Sequence, residues 1–600
     1  MKTLIFDGDC AFCQIWVNNW KTRTGDTVRY LPIKAALSKF PQLAHADLKQ
    51  RVHLVVSNES GAQVYSGAEA VFRALASNPL IWLYLHFPGF AFLTEFLYGL
   101  VARHRNAAMK VTQALWGDSV EPSEYSHAAL VFTRVLSFIY LLAFASIGTQ
   151  VRGLIGEEGI LPITTFLANI QKQIGVAGFW RLPTLFWLDS SDLALLTVCW
   201  GGVALSAISI IAKPFSNWQR TVFAILWLYY LSLVAAGQMF MGFQWDFLLL
   251  ETGFLAIFLK PARGRVWLFH LLLFRLMFES GAVKLLSHDP SWANLTALDV
   301  HFQTQPLPNL VAWFVHQLPS VLHKAATGIM FVIELAVPFL ILGPRRVKQF
   351  AGLAFILLQT LIFLTGNYTF FNILTAALCL LLFDDTFFRS CYQRLKRKLK
   401  PVKPVPVSHP TTRVVSAAIV SLSVISLLGV FAPLPKKLAS LETWASSIGI
   451  VNRYGLFAVM TVNRPEIQIE GSLDGDHWLE YKFRHKPGPL DRAPSWVAPF
   501  QPRLDWQMWF AAVSGARQTP WLIPLVLRTL EASKPVLALY ESSPFGPNPP
   551  KYVRALLYDY KFTTFTERRQ TGNYWKRELK GVYFPPVGLR GQPPTTMQKP

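Results

Sequence analysis

Residues 128–147 read AALVFTRVLSFIYLLAFASI, twenty residues that as a helix reach about 30 Å, the thickness of a bilayer's hydrocarbon core. Eight further runs follow the same rule: residues 193–212, 221–240, 245–260, 266–286, 325–343, 349–366, 370–384 and 414–432. Nine spans predict a polytopic α-helical membrane domain over 125–433. Composition agrees: 52% of residues are hydrophobic and 15% charged, against about 25% charged in a soluble domain. The net charge of +22 would suggest nucleic acid in a soluble chain. Here the cations sit between apolar runs, so membrane lipid is the expected partner and nucleic acid is not.

Orientation follows from the loops. Lys213 and Arg220, then Lys260, Arg263 and Arg265, then Arg345, Arg346 and Lys348 occupy alternate loops, and a basic run from Arg389 to Lys403 fills the fourth. The opposing loops, near Gly242, over 287–323 and over 366–372, carry almost no Lys or Arg. Cations mark the cytoplasmic side. The N-terminus shows no signal peptide. An odd number of spans therefore puts residues 1–115 in the cytoplasm and residues 434–585 outside it, in a bacterial inner membrane.

The flanking segments read as soluble domains. Residues 2–6, 28–31, 52–56 and 63–65 look like strands, with helices near 10–21 and 68–76, the second capped by Ser66: a small α/β domain. Residues 80–101 are apolar, but Pro88 and Gly89 split the run and Glu95 interrupts it, so helices on the domain or at the membrane surface fit better than a span. After Pro433, 466–471 and 478–483 alternate around Asp474-Gly475 as a hairpin, helices fit 506–513 and 521–531, and strands fit 536–540 and 552–562. That makes a strand-rich (α+β) domain, followed by a Pro- and Gly-rich tail, 586–600, expected to be disordered.

The sharpest chemical motif is Asp9-Cys10-Ala11-Phe12-Cys13, at the junction of a strand and a helix. A helix N-terminus favours a thiolate, so Cys10 could attack a disulfide and Cys13 resolve it. Asp7 and Asp9 oppose this by adding negative charge. Two structural thiols, or half a zinc site completed by His45 and His53, are the alternatives. LIFDGD also looks like the first motif of haloacid-dehalogenase phosphatases, but Cys10 replaces the usual glycine and no later Lys and acidic pair fits. Cys199 and Cys379 lie in separate runs, Cys391 follows one, and residues beyond 391 hold none, so no disulfide framework supports the last domain. No cofactor or resident metal is expected.

DGDCAFC resembles the signature of the DCC family of thioredoxin-like thiol–disulfide oxidoreductases. Ser66-Gly67-Ala68, Pro88 and the stretch from Tyr98 through Ala102-Arg103-His104-Arg105 also resemble it. The resemblance covers about 1–115 and implies a thioredoxin-like fold, with Cys10 and Cys13 as a catalytic redox pair facing a cytosolic thiol partner.

The membrane domain carries ionisable residues: Asp246, Glu251, His270, Arg275, Glu279, Lys284 and Glu334. Charges in hydrocarbon must pair or face a wet cavity. Arg275 and Glu279 are four apart and can pair, while Lys284 could snorkel. They read either as helix-packing pairs or as an intramembrane site.

A second resemblance lies in FQWDFLLLETGF (243–254), FRLMFESGAVKL (274–285), WANLTALDVHFQTQPLP (292–308), NRYGLF (452–457), QPRLDWQMWF (501–510), 548–560 and Trp575. These blocks, in this order, resemble the lipase maturation factor family across about 125–585. Eukaryotic members are endoplasmic reticulum membrane proteins that help secreted lipases become active dimers, with the C-terminal domain in the lumen. The membrane core is also distantly similar to vitamin K-dependent carboxylases. The resemblance implies a maturation or folding factor for an exported, lipase-like client. Asp505, Trp506 and Trp509 are the expected client contacts, within an aromatic set that includes Trp444, Trp478, Trp496, Trp521 and Trp575. A membrane thiol oxidoreductase or a carboxylase-like enzyme is the rival reading.

Overall fold

The computed structural model describes residues 2–40, 43, 45–58, 61–75, 79–212, 214–259, 263–394 and 410–589. The chain forms two compact units, Met1–Glu124 with Leu342–Phe350, and Tyr125–Ile341 with Ala351–Pro600. Lys213, Lys260, the basic run after Arg394 and the tail beyond 589 lie outside the described residues.

The first unit is an α/β domain on a four-stranded sheet of order β2-β1-β3-β4, from β1 (Lys2–Phe6), β2 (Val28–Pro32), β3 (His53–Asn58) and β4 (Gly61–Ser66). β1 pairs in parallel with β2 and antiparallel with β3. Side chains alternate across a strand, so Leu4 and Phe6 pack with Val17, Val28 and Leu54, while Ile5 packs with Ile33, Ala36 and Val55. Buried on both faces, β1 fixes where the chain leaves the sheet and enters α1 (Ala11–Thr24). Helices α2 (Gly67–Ala74), α3 (Pro79–His86), α4 (Pro88–Arg103) and α5 (Arg105–Trp116) complete it. Ser66 makes no capping bond; Glu95, which interrupts the 80–101 run, accepts from the Glu69 N–H instead (3.2 Å). The acidic residue that argued against a span thus closes the first turn of α2. Arg345 joins this unit by donating to the carbonyls of Ser119 (2.6 Å) and Glu121 (3.0 Å).

The second unit holds α6 (Ser126–Gly148), α7 (Asp192–Ile211), α8 (Asn217–Ala236), α9 (Gln244–Ile257), α10 (Arg263–Leu286), α11 (Ser320–Phe331), most of α12 (Arg345–Thr365), α13 (Phe371–Leu380), α14 (Asp385–Arg394) and α15 (Pro410–Phe431). Among the described residues, seven helices are long and apolar enough to span, or eight if the pair α13 and α14, bent by 96°, counts as one. Nine were expected. The shortfall lies at 245–260, where α9 has 14 residues, about 21 Å of helix, and turns Asp246 and Glu251 into protein. The 370–384 run breaks after Leu380, and the 325–343 run passes from α11 into a π turn at Val332–Ala336.

A fully antiparallel sheet, order β6-β5-β7-β8, follows: β5 (Arg464–Ser472), β6 (Leu479–Glu480), β7 (Tyr552–Phe562) and β8 (Trp575–Gly588). The expected hairpin is there, with Glu470 opposite Glu480. Residues 536–540 do not form a strand; Lys534–Leu537 is a helical turn opened by Pro535. β8 was not foreseen, and it extends to Gly588 through residues expected to begin the disordered tail. Helix α16 (Arg503–Ser514) packs on β5.

The cation-poor loops all meet this C-terminal region. Phe240 O accepts from Arg503 (2.6 Å), Pro306 O from Arg464 (2.8 Å), and Asn367 donates to Ser495 O (2.9 Å). Two guanidinium groups anchor these contacts. Arg503 makes a bidentate pair with Asp246 (3.0 and 2.9 Å), and Arg464 binds three loop carbonyls and Glu466. Removing one partner of such a buried pair strands the other. Arg503→Ala is expected to cost about 3–5 kcal/mol, read as earlier thermal aggregation of the purified protein. Lys580→Ala, which breaks a surface pair with Glu578, should leave the melting curve unchanged.

Candidate functional site

The thiol site sits where β1 hands over to α1. Cys10 is the N-cap residue of α1, and its sulfur accepts the Cys13 N–H at 3.3 Å, so the thiol already occupies the anion-favouring position at the helix end. The two carboxylates that argued against a thiolate are both matched by cations. Arg105 pairs with Asp7 at 2.9 Å and Lys34 with Asp9 at 3.1 Å, the second fully in solvent and therefore weak. Arg105 is also within hydrogen-bonding reach of Cys10. Its backbone anchors are the carbonyls of Lys49 and Gln50 (2.5 and 3.3 Å), which hold the guanidinium over the CxxC. Sequence reading placed Arg105 in the family-like stretch but missed this role, because 95 positions separate it from Cys10.

The two thiols differ. Burial, then the hydrogen bond and charge of Cys10, push the Cys13 thiol up to about 12, while Arg105 pulls it down. Cys13 lines an apolar cleft of about 730 Å³ with Trp16, Tyr98 and Val101. Among the described residues no cluster of three His, Cys, Asp or Glu could hold a metal.

The membrane-domain candidates do not form one site. Arg275 is the hub of a closed cluster: it pairs with Glu251 (2.8 Å) and Glu279 (3.3 Å), donates to Ser423 (3.2 Å), and binds the Asn452 carbonyl. Glu251 also accepts from the Asn452 N–H (2.9 Å) and the Tyr454 hydroxyl (2.8 Å), and Glu279 from the Tyr454 N–H (2.8 Å). Every carboxylate oxygen is engaged, so little remains for a substrate. The Arg275–Glu279 pairing holds, but the stronger partner, Glu251, comes from α9, and the object bound is the chain's own NRYGLF block. Asp246 is likewise spent on Arg503 and Tyr230 (2.5 Å). Lys284 stands apart: rather than snorkelling, it is buried against Glu334 at 2.8 Å.

The expected client contacts are buried as well, which corrects their assignment. Asp505 accepts the backbone N–H groups of His485 and Lys486 (both 2.9 Å) in a site whose burial raises its carboxyl above the usual range. Trp506 packs on Trp245 and Phe243, and Trp509 donates to Thr304 O (2.9 Å). An i, i+3, i+4 apolar pattern on α16 marks a core face as readily as a binding face. Trp521 and Trp575 are buried too; of the aromatic set, Trp444 and Trp496 are about half exposed.

The arrangement can be compared with known proteins. The family model described as the lipase maturation factor transmembrane domain matches residues 127–390, that of the lipase maturation factor C-terminal domain 450–585, and that of the DCC1-like thiol-disulfide oxidoreductase 4–111. Lipase maturation factor 2 of Homo sapiens is 35% identical over 589 residues, 76% of this chain and 82% of that protein. Its Xenopus laevis counterpart is 34% identical, covering 78% of this chain and 83% of its own. Lipase maturation factor 1 of Homo sapiens is 34% identical, with 77% and 88% covered. No solved structure matches.

The thiol geometry makes a directional prediction. Cys13→Ser should accumulate mixed disulfides through Cys10, and Cys10→Ser should trap none. Iodoacetamide at neutral pH should label Cys10 well before Cys13, whose thiol stays protonated until far higher pH. Arg105→Met should slow labelling of Cys10 by removing the cation beside it. Equal labelling rates for both thiols would count against the assignment.

Proposed function

Because the chain belongs to the lipase maturation factor family, with a DCC1-like thiol-disulfide oxidoreductase domain joined at its N-terminus, we propose that it helps exported, lipase-like proteins reach their active form. The observation that carries this is coverage: membrane and C-terminal regions both match, and the relatives align over about four-fifths of their own length. The client is held without covalent chemistry; the Arg275 cluster and the Asp246–Arg503 pair are consumed by internal contacts. Trp444 and Trp496, each about half exposed, are accessible aromatic groups for an apolar client surface.

The C-terminal region lies outside the cytoplasm and the first unit inside, in a bacterial inner membrane. Two contact sets support this reading. The cation-poor loops bond to the C-terminal region, and Arg345, from a cation-rich loop, bonds within the first unit. Nine crossings follow if α9 and the bent pair α13 and α14 each traverse the membrane. A second reading, a membrane thiol oxidoreductase, is favoured by the CxxC with its matched carboxylates. The first unit then exchanges disulfides with a cytosolic thiol protein, Cys10 as nucleophile and Cys13 as resolving thiol.

Two measurements test these readings. An alkaline phosphatase fused after Pro435 should be active and one fused after Trp116 inactive; the reverse result overturns the orientation. Active exported lipase per unit of lipase antigen should collapse on deletion of the chain and survive Cys10→Ser/Cys13→Ser. Trp444→Ala/Trp496→Ala should lower it several-fold at unchanged membrane levels. Loss with the cysteine variant alone would favour the oxidoreductase.

A further inference from the structure

A cavity of about 400 Å³ lies within the second unit, between α10, α11 with its following π turn, and α12, and it is closed on one side by Trp292, His301 and Phe457. That volume is within the range of small-molecule sites. Its walls are mostly apolar, from residues such as Leu276, Ile333 and Ile362. Three lining residues, Ile329, Leu357 and Leu361, are also more than half exposed on helices read as spans. The mouth therefore opens sideways, on a surface made for hydrocarbon.

Four polar groups in this wall keep unused hydrogen-bonding capacity. Lys284 spends two of its three N–H groups, on Glu334 (2.8 Å) and the Ser280 carbonyl (3.0 Å). Glu334 accepts through one oxygen; the other has no partner among the described residues. The Gln359 oxygen accepts from Asn372 (2.8 Å), but its amide nitrogen meets only the Met277 sulfur at 4.0 Å. The His301 tautomer is set through Gln305, whose amide N–H groups go to Phe302 O and Thr365 O. Its oxygen must therefore take the Tyr368 hydroxyl proton (2.9 Å). The Tyr368 oxygen then accepts from His301 Nε2–H (3.1 Å), which leaves Nδ1 as an acceptor. Glu334 sits in the π turn Val332–Ala336, a distortion frequent at functional sites.

The charges cancel. Lys284 is matched by Glu334, and burial, with the Lys284 charge, holds the His301 ring down at about 4, hence neutral. The wall offers two donors and two acceptors with no net charge. An anionic head would bring an unmatched charge into an apolar site, which is costly. A head with acceptor oxygens alone would leave Glu334 and His301 unmet.

We propose that this cavity binds an uncharged lipid bearing both hydroxyl and ester carbonyl oxygens, a glyceride, admitted from the hydrocarbon between α11 and α12. The acyl chain runs along Leu276, Ile333 and Ile362, and the head meets Lys284, Glu334, Gln359 and His301.

The test uses the full chain in phosphatidylcholine nanodiscs with a monoacylglycerol carrying a diazirine and an alkyne on its acyl chain. A fatty acid with the same chain and tags is the comparison. After irradiation, labelled peptides are mapped by mass spectrometry. Glyceride labelling should concentrate at residues 326–333 and 357–362 and be displaced by unlabelled monoacylglycerol. It should fall at least about tenfold in Ala326→Phe and in Met330→Trp, which fill the cavity. Labelling spread evenly over α7 and α15, equal or stronger labelling by the fatty acid, or no loss in either filled variant would overturn the proposal. If neither variant purifies intact, displacement from the unaltered protein decides: no displacement overturns it.

Discussion

Buried guanidinium groups govern the second unit. Arg275, Arg464 and Arg503 have no more than about 1% of their side chains exposed, and each joins a segment after residue 450 to one before 310. A charge in that position is tolerable only when it is paired and hydrogen-bonded, so each arginine demands its partners in one geometry. This makes the membrane helices and the C-terminal sheet one body. The pairs need not add net stability over an apolar packing; what they impose is register.

The first unit applies charge differently. Its carboxylates lie near the thiols at the surface, and its cations come from distant parts of the chain. Arg105 reaches back to Asp7 and Cys10 while tied to the carbonyls of Lys49 and Gln50. The sulfur at the helix end therefore meets neutralised neighbours, and the second thiol, deeper among Trp16 and Tyr98, stays protonated. On the proposed redox reading, one thiol is placed to attack and the other to wait.

Much of this was legible because its signals are local. Apolar run lengths, the strand ending at DGDC and the Asp474-Gly475 turn depend on neighbours in sequence, and the corresponding elements are present. What escaped depends on distant pairs. That α9 would be short and carry inward-facing charges escaped because Asp246 and Glu251 are interpretable only beside Arg503 and Arg275. Asp505, Trp506 and Trp509 read as a binding face because one helix cannot show that Phe243, Trp245 and Thr304 will cover it. β8 was missed because Pro585 and Pro586 suggest disorder until the long β7 edge is known. The Lys284–Glu334 pair shows the same limit: snorkelling is the right default for an isolated lysine near a helix end, and a partner 50 positions away cancels it.

The Arg275 cluster also sets a schedule for biogenesis. Glu251, Arg275 and Glu279 enter the membrane early, whereas Asn452, whose carbonyl Arg275 needs, is made 177 residues later. At ribosomal rates of about 5–20 residues per second, that gap lasts about 10–35 s. During it, two carboxylates face a single guanidinium inside the bilayer, without the N–H groups that later satisfy them. A chain cut short before residue 452 never leaves that state. The nascent membrane domain therefore carries these charges without their final partners until the last quarter of the chain is made.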